Sequence, residues 1–171
     1  DNIAIYLESS PNWIIIDFAL QILGANSVPI FKDISYNNLK YQIKDANIKY
    51  IFTDNEIRDD IKTNLTIFII EPNSTNICLK NLYKKGKELS KLNIYNIKEL
   101  ISKVKEDDTF SIVYTSGSTS YPKGVELTHK NIISQLHSIN QSFKISNKDK
   151  TLSILPLAHI FQRTVMSFYL S

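Results

Sequence analysis

A chain of 171 residues with 43% hydrophobic and 22% charged residues has ordinary globular composition and enough apolar material for one sizeable core, which excludes intrinsic disorder. Its net charge of +3 (pI about 8.8) rests almost wholly on lysine, and only Arg58 and Arg163 could fork onto base edges, so no nucleic-acid partner is expected. The single cysteine, Cys78, excludes an intrachain disulfide, a CxxC pair and a cysteine zinc cluster, and fits a reducing cytoplasm.

Strands are expected at Ile3 to Leu7, Val28 to Phe31, Tyr50 to Thr53 and Thr66 to Ile70, with helices from Pro11 and Tyr36, a βαβ series. The first helix carries its own boundaries: Ser10 as N-cap, Pro11 in the first turn where a missing N–H is harmless, and Gly24 just past the end. Ile14, Ile15, Ile16, Phe18, Ala19, Leu20, Ile22 and Leu23 leave it little polar surface, so burial on more than one side by a larger protein is expected. The stretch from Trp13 to Leu23 is nevertheless interrupted by Asp17 and Gln21 and is too short to cross a bilayer. In the second helix, Leu39, Ile43 and Ala46 make one apolar stripe for a sheet. The first strand-to-helix turn, Glu8-Ser9-Ser10-Pro11, has no glycine fingerprint, which argues against a Rossmann oxidoreductase.

From Glu71 to Asp108 the chain turns polar and Lys/Asn-rich, with helical spacing in Leu79, Leu82 and Leu89 and again in Ile97, Leu100, Ile101 and Val104, read as surface connectors. Lys80, Lys84, Lys85, Lys87 and Lys91 read as a solvated helix face, with an anionic membrane surface as the alternative. After the apolar strand Phe110 to Tyr114, Thr128 is expected to cap a helix whose Ile132, Ile133, Leu136, Ile139 and Phe143 share a face. His129 and His137 on that helix lack a third ligand nearby and are read as ordinary histidines, so no metal site is assigned.

Between that strand and that helix lies the most informative segment. Tyr114-Thr115-Ser116-Gly117-Ser118-Thr119-Ser120-Tyr121-Pro122-Lys123-Gly124-Val125 gathers hydroxyls, two glycines and a lysine into one turn. Backbone N–H groups and hydroxyls there can converge on an anion, glycine admits close approach, and Lys123 adds a point charge on a flexible stem. A Walker loop needs Gly-Lys-Ser/Thr running into a helix; here Lys123 precedes Gly124 and the strand-like Val125-Glu126-Leu127 follows. The bland alternative is a Ser/Gly hairpin connection.

A second segment, Leu155-Pro156-Leu157-Ala158-His159-Ile160-Phe161-Gln162-Arg163, follows the expected strand Leu152-Ser153-Ile154 and opens a helix near Ile160. His159 sits at the junction, where an imidazole can donate a hydrogen bond to a carboxylate or carbonyl oxygen; on position alone it reads equally as a capping or core histidine.

Tyr114 to Val125 resembles the phosphate-binding loop of the adenylate-forming superfamily. Leu155 to Arg163 is similar to the Leu-Pro-Leu-Ala-His-x-Phe-Glu-Arg segment of its long-chain fatty acyl-CoA synthetases. Pro11-Asn12-Trp13, Gly24-Ala25, Val28-Pro29-Ile30 and Tyr50-Ile51-Phe52 resemble the opening of the same family's N-terminal domain. Ser120 stands where the family usually has glycine, which puts ATP affinity in question, and Gln162 where it has glutamate, which removes a charge beside Arg163.

The resemblance implies an α/β fold, a partial N-terminal domain of the adenylate-forming type with βαβ units and a mainly parallel sheet. Residues 1–72 would form the βαβ units, 73–108 a polar connector, and 109–171 the phosphate-loop strand, helix and acyl-site segment. It further implies an ATP-dependent, Mg²⁺-dependent ligase that converts a fatty acid to acyl-AMP and then, with coenzyme A, to acyl-CoA. Thr115, Ser116, Gly117, Ser118, Thr119, Ser120, Lys123 and Gly124 would hold the ATP phosphates, and His159 would shape the carboxylate end of the acyl site. The family's later motifs do not occur before Ser171, so the chain is read as an incomplete piece, inactive alone, cytoplasmic and not membrane-spanning, with the inner face of a membrane as a peripheral contact. A non-catalytic nucleotide-binding remnant and an aryl or amino-acid activator are the rival readings.

Overall fold

The computed structural model describes residues 1–62, 64–70, 77–92, 94–115, 121–146 and 148–170. Strand β1 (Asn2–Tyr6) is central, and its alternating side chains are buried on both faces, as a parallel strand covered by helices requires. Ala4 and Tyr6 enter one core with Val28, Ile30, Leu39 and Ile51. Ile5 and the adjoining Leu7 enter the other with Trp13, Ile16, Leu20, Leu79 and Leu157.

Helix α1 (Pro11–Ile22) leads to β2 (Asn26–Pro29), α2 (Tyr36–Asp45) to β3 (Tyr50–Thr53), and α3 (Asp59–Lys62) to β4 (Thr66–Ile69). A short β5 (Ile77–Cys78) then precedes α4 (Leu79–Lys91), α5 (Ile97–Ser102), β6 (Thr109–Thr115), β7 (Lys123–Thr128), α6 (His129–Ser142) and α7 (Ile160–Leu170). Among the described residues the strands make one seven-stranded sheet in the order β5-β4-β3-β1-β2-β6-β7. Every neighbouring pair is parallel except the β6–β7 hairpin. The mixed α/β class with a mainly parallel sheet is thus as the sequence implies.

The expected helix boundaries hold. The Ser10 side chain accepts from the Trp13 N–H, Ser35 caps α2 through Asn38, and Thr128 forms a reciprocal capping box with Asn131. Gly24 takes a φ of +65°, the left-handed turn that lets the chain leave α1 for β2.

In this chain helix α1 packs Trp13, Ile16 and Leu20 inward, while Ile15 and Phe18 remain 50% and 40% exposed. On α6 Ile132 is buried and Ile133 stands out from the surface, as does Phe143 at the C-cap. One expectation is corrected. Residues 152–154 form no strand; the segment instead walls a cleft, with Ile154, Pro156 and Ala158 lining it.

Helix α7 is fastened to the sheet by charge. Arg163, 2% exposed, donates from Nε to Asp17 Oδ2 (2.7 Å) and from Nη2 to Asp17 Oδ1 (2.6 Å), a planar fork on a carboxylate from α1. Its remaining donors reach Ser111 Oγ on β6 and Ser27 Oγ on β2, each at 2.7 Å, and its guanidinium lies 4.1 Å from the centre of the Phe110 ring. The loss of charge at Gln162 therefore leaves the ion pair of Arg163 intact, because its partner is Asp17. Gln162 is itself buried, with no partner for its amide nitrogen among the described residues.

Two stability measurements check this account. Asp17→Asn leaves the buried guanidinium without a counter-charge and is expected to cost about 3–5 kcal/mol in urea unfolding, while Asp17→Leu combined with Arg163→Met recovers much of it. Gly86→Ala is expected to raise stability by about 0.5–1 kcal/mol, since Gly86 lies inside α4 and a Cβ there meets nothing within 4 Å.

Candidate functional site

The loops after β1 and β2 leave the sheet toward opposite faces, because α1 packs into one core and α2 into the other. Such divergence opens a crevice at the carboxyl ends of parallel strands. A cleft of about 480 Å³ occupies that place, lined by Leu7, Glu8 and Ser9 after β1, by Ile30 to Asp33 after β2, and by Ile154, Pro156 and Ala158. The third wall is held by the packing of Leu157 into the core with Trp13 and by a hydrogen bond across the chain, in which the Leu157 N–H donates to Ser9 Oγ at 2.9 Å.

His159 stands beside this cleft, exposed, with its ring edge-on to Phe31 at 6.4 Å between centroids. Its Nδ1 accepts the Phe161 N–H (3.2 Å), so it caps the first turn of α7. A neutral ring used this way carries its proton on Nε2, which is left as a donor. The capping reading and the donor reading of His159 are therefore compatible. Four residues on, the Arg163 N–H donates to the His159 carbonyl (3.2 Å), which ties the histidine's turn to the buried guanidinium.

At the floor of the cleft's polar end, Lys32 pairs with Asp54, and its Nζ lies 4.4 Å from the centre of the Tyr6 ring. Asp54 also accepts the Glu8 N–H (2.9 Å), so the loops after three strands are joined. Burial, followed by the charges of Asp54, Asp33 and Glu8, raises the Tyr6 phenol above its ordinary value and keeps it protonated.

The feet of the Ser/Gly/Thr loop lie at the same edge of the sheet. β6 runs parallel to β2 and β7 returns antiparallel, so Thr115, ending β6, and Lys123, opening β7, are paired in register. Tyr114 at one foot donates from its hydroxyl to Asp45 Oδ2 (2.6 Å), and Tyr121 at the other stacks on Tyr41 at 4.8 Å. Tyr41 also donates to Asp45, at 3.2 Å, so both feet are moored to α2. Burial first, and then the hydrogen bond to Asp45, raises the Tyr114 phenol so that it remains the donor.

Gly124 has a packing role of its own. It lies opposite Tyr114, and a Cβ on it would fall 3.0 Å from Ile112 Cγ2 and 3.2 Å from Tyr114 Cζ. Ser116, Gly117, Ser118, Thr119 and Ser120 lie outside the described residues.

The structure thus brings Thr115, Lys123, Gly124 and His159 to one edge of the sheet. Sequence reasoning did not identify Asp17, Ser27, Ser111, Asp45, Tyr41 or Ser9 as their supports. Asp17 did carry a signal, since a carboxylate inside an apolar helix calls for a partner. His129 packs edge-on against Phe110 at 5.4 Å between centroids, and among the described residues no cluster of three metal-ligating side chains occurs.

Comparison with known proteins agrees with this architecture. Long chain acyl-CoA synthetase 3 of Arabidopsis thaliana is 30% identical over 96% of this chain and 27% of its own length. Long-chain-fatty-acid–CoA ligase 5 of Rattus norvegicus is 29% identical over 99% of this chain and 27% of its own. The chain spans about a quarter of the length of these relatives. In fold it resembles the N-terminal domain of FACL13 from Mycobacterium tuberculosis (TM-score 0.76, 22% identity, 98% of this chain and 41% of that one). It also resembles o-succinylbenzoate CoA synthetase from Bacillus subtilis, solved in complex with ATP and magnesium ion (TM-score 0.70, 20% identity, 98% of this chain and 41% of that one). The family described as AMP-binding enzyme matches residues 1–171, and the chain belongs to it.

Proposed function

We propose that this chain is the phosphate-loop-bearing part of an enzyme that activates a fatty acid with ATP to acyl-AMP and passes the acyl group to coenzyme A. The observation that carries the reading is that the loop feet Thr115 and Lys123 and the cleft flanked by His159 lie at the same end of the parallel strands. Family membership supports the adenylating chemistry, and the named relatives support the fatty acyl substrate.

The physical demand is charge control. A carboxylate must attack the α-phosphorus of a polyanion, so positive charge and fixed donors have to offset the repulsion and hold the two in line. Lys123, the hydroxyl of Thr115 and the intervening Ser116, Gly117, Ser118, Thr119 and Ser120 take the β- and γ-phosphates in this reading. Gly124 serves by letting the Tyr114 ring lie across the hairpin. Mg²⁺ accompanies the phosphates, and Nε2 of His159 donates to an oxygen of the fatty carboxylate. In this organisation residues 1–72 supply the cleft's first two walls, 73–108 connect, and 109–171 bring the loop and the third wall.

Two variants of the complete enzyme separate binding from packing, with fatty-acid-dependent exchange of pyrophosphate into ATP as readout. Lys123→Ala is expected to lower exchange by about 10²–10³-fold with unchanged thermal stability, since it removes a charge aimed at the transition state. Exchange at the wild-type rate would refute the assignment. Gly124→Ala is expected to destabilise the fold by about 1–3 kcal/mol, because the Tyr114 ring is held by Asp45 and cannot retreat freely.

A further inference from the structure

Asp45 closes helix α2 and gives each of its carboxylate oxygens to a phenol. Oδ2 accepts the Tyr114 hydroxyl at 2.6 Å, and Oδ1 accepts the Tyr41 hydroxyl at 3.2 Å. Among the described residues Asp45 makes no ion pair. A negative charge close to the feet of a phosphate-holding loop opposes an anion, so attraction for the ligand does not account for it. What the carboxylate offers is two acceptors on a fixed platform. Leu39 and Ala46 seat α2 in the core that also holds Ile112 and Tyr114, and the Asn2 side chain donates to the Ala46 carbonyl at 2.6 Å, which ties the helix end to the start of β1.

The end of the hairpin depends on such a platform, because β7 is the outermost strand on its side of the sheet and among the described residues no further ladder holds Lys123. Thr115 and Lys123 are a register pair, next to the pair Tyr114 and Gly124, so the hydroxyl bond to Asp45 acts beside Thr115. Tyr121, shortly before Lys123, stacks on Tyr41 with 4.8 Å between centroids and 24° between planes. Desolvation first, and then the hydrogen bond to Asp45, raises the Tyr41 phenol as it does that of Tyr114, so both remain donors at neutral pH. One carboxylate thus restrains both sides of the hairpin end.

We propose that Asp45 is a positioning residue for nucleotide binding, acting through Tyr114 and through the Tyr41–Tyr121 stack to set where Thr115 and Lys123 stand. The role rests on the adenylation reading. Asp45 itself touches no phosphate; without it the two feet lose their common restraint, and the groups of Thr115 and Lys123 meet the polyphosphate away from their best geometry. Misplacement by about 1 Å at such a site costs up to about 10²-fold. The loss falls on ATP and spares the fatty acid, whose carboxylate is taken by His159 at the start of α7, a helix that Asp17 and not Asp45 fastens.

The test is fatty-acid-dependent exchange of pyrophosphate into ATP by the complete enzyme, with each substrate varied in turn. Asp45→Ala is expected to raise the KM for ATP about tenfold while the KM for the fatty acid changes by less than about twofold. Tyr114→Phe keeps the ring against Gly124 and loses only the hydroxyl; it is expected to raise the KM for ATP about threefold, and to add nothing further when combined with Asp45→Ala. A role in folding alone would lower the active fraction, and with it kcat, at unchanged KM values. If Asp45→Ala does not fold, Tyr114→Phe and Tyr41→Phe make the same comparison. The proposal is overturned by an unchanged or lowered KM for ATP in the folded variants, by an equal rise for both substrates, or by additive effects in the double variant. Lys123→Ala, run alongside, tells the two readings apart: exchange at the wild-type rate there removes the adenylation reading and this role with it, whereas lost exchange there with an unaltered KM for ATP in Asp45→Ala removes this role alone.

Discussion

The fork of Arg163 on Asp17 is the contact from which the rest of the site's geometry follows. A guanidinium removed from water is tolerated only when its charge and its donors are met together, and here one carboxylate and two serine hydroxyls meet them. Those partners come from α1, β2 and β6, so a single side chain on α7 fixes three elements that are far apart in sequence. The same helix begins at His159. Its position beside the cleft is therefore a consequence of a buried electrostatic arrangement one turn away.

The sheet supplies the other constraint. Parallel strands send their carboxyl ends to one edge, and because α1 and α2 leave toward opposite faces, the loops after β1 and β2 part there. The hairpin of β6 and β7 adds its own end to the same edge, with Thr115 and Lys123 in register. Asp45 then restrains that end from the side by receiving the hydroxyls of Tyr114 and Tyr41, the second of which stacks on Tyr121. With both feet moored to α2, the positions of Thr115 and Lys123 at that end of the sheet are fixed by contacts outside the hairpin itself.

Much of this was legible in the residues. Caps at Ser10, Ser35 and Thr128 act within one helical turn, so local spacing suffices to place them. The strands that carry β-branched runs were legible for the same reason, although β5 was not, being two residues long and stabilised only by its neighbour β4. The reading of 152–154 as a strand failed because a short apolar run pairs only if an open ladder is beside it, and here the segment walls the cleft instead.

The sequence by itself determined the alternation of elements, the helix ends, the chemical character of the loop around Lys123 and the place of His159 at a helix start, all of which depend on neighbours within a few positions. Only the tertiary structure decided that Asp17 answers Arg163, that Asp45 moors Tyr114 and Tyr41, and that Ser9 holds Leu157. Each of these pairs joins residues from 69 to 148 positions apart, or bridges them through a shared carboxylate. Charge and hydrogen-bonding capacity are properties of single residues, whereas the partner that satisfies them is set by which elements the two cores press together.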